Sequence, residues 1–163
     1  MSPSGKAQDL DSCIRWFESS QPCFNMKEKD NILFHGTIDL PPITKKNSMQ
    51  IAMSPNGKRF LRQSEQYVKY ERNAGWFLKM PEGGTIDEPV NVQMLFFMPS
   101  RRKVDLSNLQ SACLDVLVKH EILADDNCRI VVTHDGSQVF YDKEHPRTEI
   151  IITKKENTES IWK

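Results

Sequence analysis

Arg101-Arg102-Lys103-Val104-Asp105-Leu106-Ser107-Asn108, an apolar-striped run on to Glu121, and then Asp125-Asp126-Asn127 form the stretch that decides how this sequence folds. Leu109, Ala112, Cys113, Val116 and Leu117, with Leu114 flanking, recur at the three- and four-residue spacing of one helix face. A helix is therefore predicted from Ser107 to Glu121. Immediately upstream, Pro89 to Met98 alternates and is rich in β-branched and large apolar residues, which predicts a strand that ends at Pro99. Strand, basic run, helix and acidic turn in this order set the centre of the domain.

Outward from this centre the pattern stays mixed. Ile32 to Leu40 reads as a strand stopped by Pro41-Pro42, since proline cannot donate to a sheet ladder. Met49 to Met53 and Lys58 to Leu61 flank Pro55-Asn56-Gly57 and read as a hairpin. Tyr67, Tyr70, Ala74, Phe77 and Leu78 predict a helix over Gln63 to Lys79, closed by Pro81 and Gly83-Gly84. Arg129 to Thr133, Gln138 to Tyr141 and Thr148 to Thr153 are predicted strands. The fold class expected is α+β, a small mixed sheet with two principal helices. The organisation expected is an N-terminal extension over 1–30, with a short helix at Leu10 to Phe17, a domain over 31–154 and a polar tail over 155–163.

Composition narrows the options. The chain has 163 residues, 38% of them hydrophobic and 27% charged, enough for a core and too apolar for wholesale disorder. No apolar run approaches the roughly 20 residues that a membrane-spanning helix needs, and the N-terminus is polar, so a cytoplasmic protein without a membrane is expected. Cys13, Cys23, Cys113 and Cys128 lack the spacing of a zinc knuckle and read as buried or partly buried free thiols. The formal net charge is zero, but it is unevenly spread. Between Pro41 and Lys79 eight bases face two acids, a net of +6. From Met80 to Asp135 five bases face nine acids, a net of −4. Such a division suits a protein that holds phosphates with one part and divalent cations with another. It is equally what two ordinary solvated surfaces look like.

Singly, the polar residues of the central stretch have structural explanations. Asp105 or Ser107 can cap the helix, Asp125-Asp126-Asn127 can be a turn, and Arg101-Arg102-Lys103 can be a solvated charge run. A helix of about 15 residues is roughly 22 Å long, so Asp105 and the Asp125-Asp126 pair share one ion only if the chain folds back or a second chain brings its own acids near. His134 at a strand end reads as structural, and Tyr67, Tyr70, Trp76 and Phe77 read as core rather than as a base-stacking platform.

Taken together, five segments in order resemble the RusA family of Holliday-junction resolvases, and the likeness is to its phage- and prophage-type subgroup. They are Leu40-Pro41-Pro42-Ile43-Thr44-Lys45-Lys46-Asn47-Ser48, Pro99 through Asp105-Leu106-Ser107-Asn108-Leu109, Leu114-Asp115-Val116-Leu117, Ile122-Leu123-Ala124-Asp125-Asp126 and Thr148-Glu149-Ile150-Ile151-Ile152. The resemblance covers Phe34 to Thr153. It implies a homodimeric, magnesium-dependent endonuclease, with manganese able to substitute, that cuts Holliday junctions or related branched DNA. Asp105 takes the place of the family's first catalytic aspartate and Asp126 that of the last, with Asp125 beside it. Magnesium prefers such hard oxygen ligands.

Two positions depart from the family pattern. Ser107 stands where the motif has its second aspartate, and Ser111 where the best-known members carry a helix lysine. Ser107 is retained as a catalytic candidate, and Asp135, in Thr133-His134-Asp135-Gly136-Ser137, is the expected substitute metal ligand. Lys45, Lys46 or Lys143 could take the lysine's part. Lys45, Lys46, Asn47, Arg101, Arg102, Lys103 and Asn108 are the residues expected to meet the DNA, mainly through its phosphates. The alternatives are a catalytically weakened branched-DNA-binding protein of the same fold and an accessory factor of recombination.

Overall fold

The longest strand organises the domain. In β4 (Val90–Met98) the alternate residues Val90, Val92, Met94, Phe96 and Met98 are all buried, while the residues between them are half-buried, so one face of the strand points into the core. These side chains share a cluster with Leu109, Cys113, Leu114, Val116 and Leu117 of α2 (Leu106–Lys119). The helix predicted from the apolar stripe is therefore present and buries the predicted face. The computed structural model describes residues 31–45 and 49–155. The expectations for the 1–30 extension, including its short helix, and for most of the tail fall outside the described residues.

The remaining elements are β1 (Ile32–Ile38), β2 (Met49–Met53), β3 (Arg59–Gln63), α1 (Glu65–Ala74), β5 (Val131–Thr133), β6 (Gln138–Tyr141) and β7 (Arg147–Lys154). The main sheet runs β1-β7-β4, and the far edge of β4 is shared by β5 at one end and β6 at the other. β1 and β4 pair antiparallel with β7, whereas β5 and β6 run parallel to β4. The sheet is thus mixed, as expected for this α+β domain. β2 and β3 form a separate two-stranded sheet around a turn in which the Gly57 N–H donates to the Ser54 carbonyl at 2.9 Å. Gly57 has φ of 74°, a conformation that glycine adopts without a Cβ clash.

β4, α2 and β5 make a β-α-β unit, and the connections at its two ends fix everything that follows. Entry into α2 is at Asp105, the N-cap residue, in extended conformation. Exit is a tight reversal in which the Glu121 N–H donates to the Val118 carbonyl at 3.1 Å and the Ile122 N–H to the Leu117 carbonyl at 2.9 Å. This is the bonding of a Schellman stop, but its left-handed residue is Glu121, with φ of 59°. Burial of Ile122 and Leu123 holds the chain there. Glu121→Gly is accordingly expected to stabilise the domain by about 1 kcal/mol, measured by urea unfolding, because it removes the Cβ strain of the left-handed conformation. A loss of stability would show that the Glu121 side chain compensates for its backbone.

Several expectations need correction. The first helix spans Glu65–Ala74, not Gln63 to Lys79. Gly75 ends it beside the His120 ring, where a Cβ would lie 2.3 Å from that ring, and the chain leaves in turns. Beyond the helix end, Trp76 is 86% exposed and Phe77 is 39% exposed, so these two are not core, while Tyr67 and Tyr70 are. The strand expected from Arg129 begins only at Val131. Asn127 gathers the preceding turn, its side-chain oxygen accepting from the Arg129 N–H at 2.9 Å and its carbonyl from the Ile130 N–H at 3.1 Å. Cys113 is buried, and burial pushes its thiol up to about 12, whereas Cys128 is exposed, against the expectation for it. Among the described residues no helix is long and apolar enough to cross a membrane.

Candidate active site and DNA-binding surface

The candidate residues divide between the two ends of the β-α-β unit. Where β4 finishes and α2 begins stand Arg101, Arg102, Lys103, Asp105, Ser107 and Asn108. The Asp105 carboxylate makes no capping bond to the helix. It accepts instead from the Asn108 side-chain amide at 3.0 Å, and the rest of the group faces solvent. Ser107 is exposed, and its carbonyl accepts from the Ser111 hydroxyl at 3.0 Å. The Arg101 guanidinium lies over the Tyr141 ring, 4.8 Å from its centroid, so the first arginine of the basic run is held by the end of β6. Tyr141 was not among the residues singled out in the sequence. Only the pairing of Met98 with Tyr141 brings it to this end of β4.

Lys45 approaches α2 from the side. Its ammonium pairs with Asp115 at 2.7 Å, both side chains about one-third exposed. Asp115 lies four residues beyond Ser111, on the same face of the helix. Lys45 thus brings a positive charge one turn along from Ser111. Lys46 and Asn47 lie outside the described residues. Lys143 is exposed in the loop after β6, at the Asp105 end of the sheet.

At the opposite end, beyond the reversal at Glu121, the chain is tied to the segment leading into β4: the Ile86 N–H donates to the Ile122 carbonyl at 3.0 Å, and the Ala124 N–H to the Ile86 carbonyl at 2.9 Å. Asp125 and Asp126 follow directly. Both Asp125 oxygens are engaged, Oδ2 by the Asn127 side-chain amide at 2.7 Å and Oδ1 by the Asp126 N–H at 2.8 Å. Hydrogen bonding from Asn127, and then from the Asp126 backbone, holds the Asp125 carboxyl below the usual carboxylate range. It is ionised throughout neutral pH. The Asp126 carboxylate is exposed beside it.

Asp135 belongs to this second end, not to that of Ser107. Its backbone N–H donates to Asn91 Oδ1 at 2.7 Å near the start of β4, and its carboxylate lies 3.4 Å from Lys155 Nζ. His134 Nδ1 lies 3.3 Å from the Val92 carbonyl, in keeping with a structural role. The 14 residues of α2 separate the ends by roughly 21 Å at the usual helical rise. Among the described residues, no group of three or more His, Cys, Asp or Glu side chains is gathered closely enough to hold a metal ion. The donor chemistry suits a hard cation, and among the described residues Asp105 stands at the opposite end of α2 from Asp125 and Asp126.

A cluster that the sequence reading missed lies on the open face of the sheet. Arg147 pairs with Glu149 at 2.7 Å and Asp142 at 3.0 Å, and its guanidinium lies 3.6 Å from the centre of the Phe97 ring, which stacks on Phe140. The His145 N–H, followed by Arg147, holds the Asp142 carboxyl below its usual range. The stabilising contribution of Asp142 is therefore full above the unfolded carboxylate range and is lost as pH falls through the lower folded value. Two residues apart on β7, Arg147 and Glu149 share a face, a relation easy to read; their meeting with Phe97 depends on strand pairing.

The α+β domain thus carries exposed carboxylates at both ends of α2 and a basic run beside Asp105. The chain belongs to the family described as Endodeoxyribonuclease RusA, which matches residues 39–153. Membership implies a junction-resolving endonuclease acting on branched DNA. No individual curated protein gives a significant match.

Proposed function

We propose that the protein is a homodimeric, divalent-metal-dependent endodeoxyribonuclease that resolves Holliday junctions and related branched DNA, each cutting site being completed by two chains. The observation that carries this reading is the separation of Asp105 from Asp125 and Asp126 by the length of α2. A second copy of the chain supplies the missing acids without unfolding either end.

Asp105 of one chain with Asp125 and Asp126 of the partner subunit would hold magnesium, and manganese can take its place. When bound, the metal orients and activates a water and neutralises charge on the leaving oxygen. The chain's own residues do the rest. Asn127 and the Asp126 N–H fix the Asp125 carboxylate in its ionised state. The reversal at Glu121 and the bonds to Ile86 hold the acidic pair on a rigid frame, which is what precise ligand placement requires. Arg101, Arg102 and Lys103 bind phosphates beside Asp105. Lys45 brings its charge to the face of α2 that lacks the helix lysine. Asp135 lies at the Asp126 end, so in a two-chain site it offsets the carboxylate lost at Ser107 by arriving with the partner's acids.

A second reading is a branched-DNA-binding protein that cuts slowly. It is favoured by Ser107, whose neutral hydroxyl is a weaker ligand for a hard cation than a carboxylate. Incubation of a synthetic four-way junction with the protein in magnesium, in manganese and in EDTA separates the two. Paired nicks in either metal that disappear in EDTA are the expected result. Salt-dependent binding without nicks in either metal would replace the enzyme by the binding protein.

A further inference from the structure

We propose that the β2–β3 hairpin is a wedge that enters the branch point of the DNA, with Ile51 and Met53 placed against unstacked bases and Lys58 and Arg59 on the flanking phosphates. The proposal rests on the reading above that branched DNA is the substrate. The hairpin forms its own sheet and makes no ladder with the main one. Ile51 is 72% exposed and Met53 69% exposed, although a free two-stranded ribbon gains little by showing apolar side chains to water. Alternation puts both on one face, and the pairing of Met53 with Arg59 puts Arg59 there too. Lys58 and Arg59 are exposed and form no ion pair among the described residues, while Arg62, on the other face, lies 3.5 Å from Glu65.

Charge decides what covers this face. From Leu40 to Ser64 the sequence contains five bases and no acid. Two hairpins packed on each other would bring like charges together with nothing to offset them, so a second copy of the chain is disfavoured. A polyanion with exposed apolar surface satisfies both features, and nucleic acid at a point of broken stacking is such a partner. Isoleucine and methionine are among the side chains that wedge between base steps. At a branch point stacking is already interrupted, so the cost of opening it is lowest there.

The test uses the full chain and a four-way junction carrying 2-aminopurine at the branch point, with binding measured in EDTA so that no cutting intervenes. Wild type should raise the fluorescence on binding. Ile51→Ser/Met53→Ser should still bind, with affinity reduced several-fold, but lose most of the rise; Ile51→Leu/Met53→Leu should restore it. Lys58→Ala/Arg59→Ala should instead weaken binding and flatten its salt dependence. An undiminished rise in the serine variant overturns the wedge, as does conversion of that variant to a monomer, which would make the face an interface between copies. If wild type cuts the junction in magnesium while the serine variant keeps the full rise, only the wedge falls. If wild type binds no junction at all, the functional reading falls with it.

Discussion

Asp126→Asn is expected to lower the rate of junction cleavage by more than about 100-fold, since a metal-ligand interaction is worth several kcal/mol in the transition state. Affinity for the junction in EDTA should change little. The two readouts separate because the residue sits apart from the basic run: Asp126 is exposed after the reversal at Glu121, and Arg101–Lys103 lie beyond the other end of α2. The side chain is exposed and the amide is nearly isosteric with the carboxylate, so the fold should be unchanged. Single-turnover cleavage and a gel-shift titration on the same junction decide the matter. Parallel loss of binding and folding would remove Asp126 from the metal site.

The second large effect is a gain. Asp105→Asn and Asp126→Asn should each be inactive alone and recover nicking when mixed and allowed to exchange subunits. In a mixed dimer with sites shared between chains, one site carries both substitutions and the other carries neither. Random exchange then restores about one-quarter of the wild-type sites, by the combinatorics of a closed two-fold dimer. Those dimers should make single nicks rather than paired ones. If each site lay within one chain, every site in the mixture would carry one substitution, and no activity would return. A flat baseline after proven subunit exchange therefore rejects the shared site while leaving the nuclease assignment intact.

Periodicity made the central unit readable. The alternation of Val90 to Met98 and the stripe of Leu109, Cys113, Val116 and Leu117 state which faces are buried, and the structure buries them. The length of the helix between Asp105 and Asp125 even stated that the acids could not meet around it unaided. Local chemistry misled in α1, where Phe77 and Leu78 continue the apolar spacing past the helix end. The stop is at Gly75, a local signal that the longer apolar spacing overrode, and the His120 ring fills the space a Cβ would take there. Asp135 is a different case. As a sequence neighbour of nothing catalytic it could be assigned to either end, and only the clasp of its backbone by Asn91 puts it with Asp126. Tyr141 under Arg101 and Phe97 under Arg147 likewise arise from strand register, which single-sequence spacing does not encode.

The break between β5 and β6 also bears on how the protein behaves in a crowded solution. A continuous strand along the outer side of β4 would offer a long row of unpaired amides, rimmed by Val139, Phe140 and Tyr141, on which another chain could template itself. The His134–Ser137 segment interrupts that row: Ser137 turns its hydroxyl inward to accept from the Met94 N–H at 3.0 Å, and Gly136 passes over Gln93 in a left-handed conformation, φ 83°. What remains for an intruding strand is a stub of three residues and another of four. Among the described residues, the sheet thereby carries its own guard against fibre-like association at a margin where Val139, Phe140 and Tyr141 are exposed.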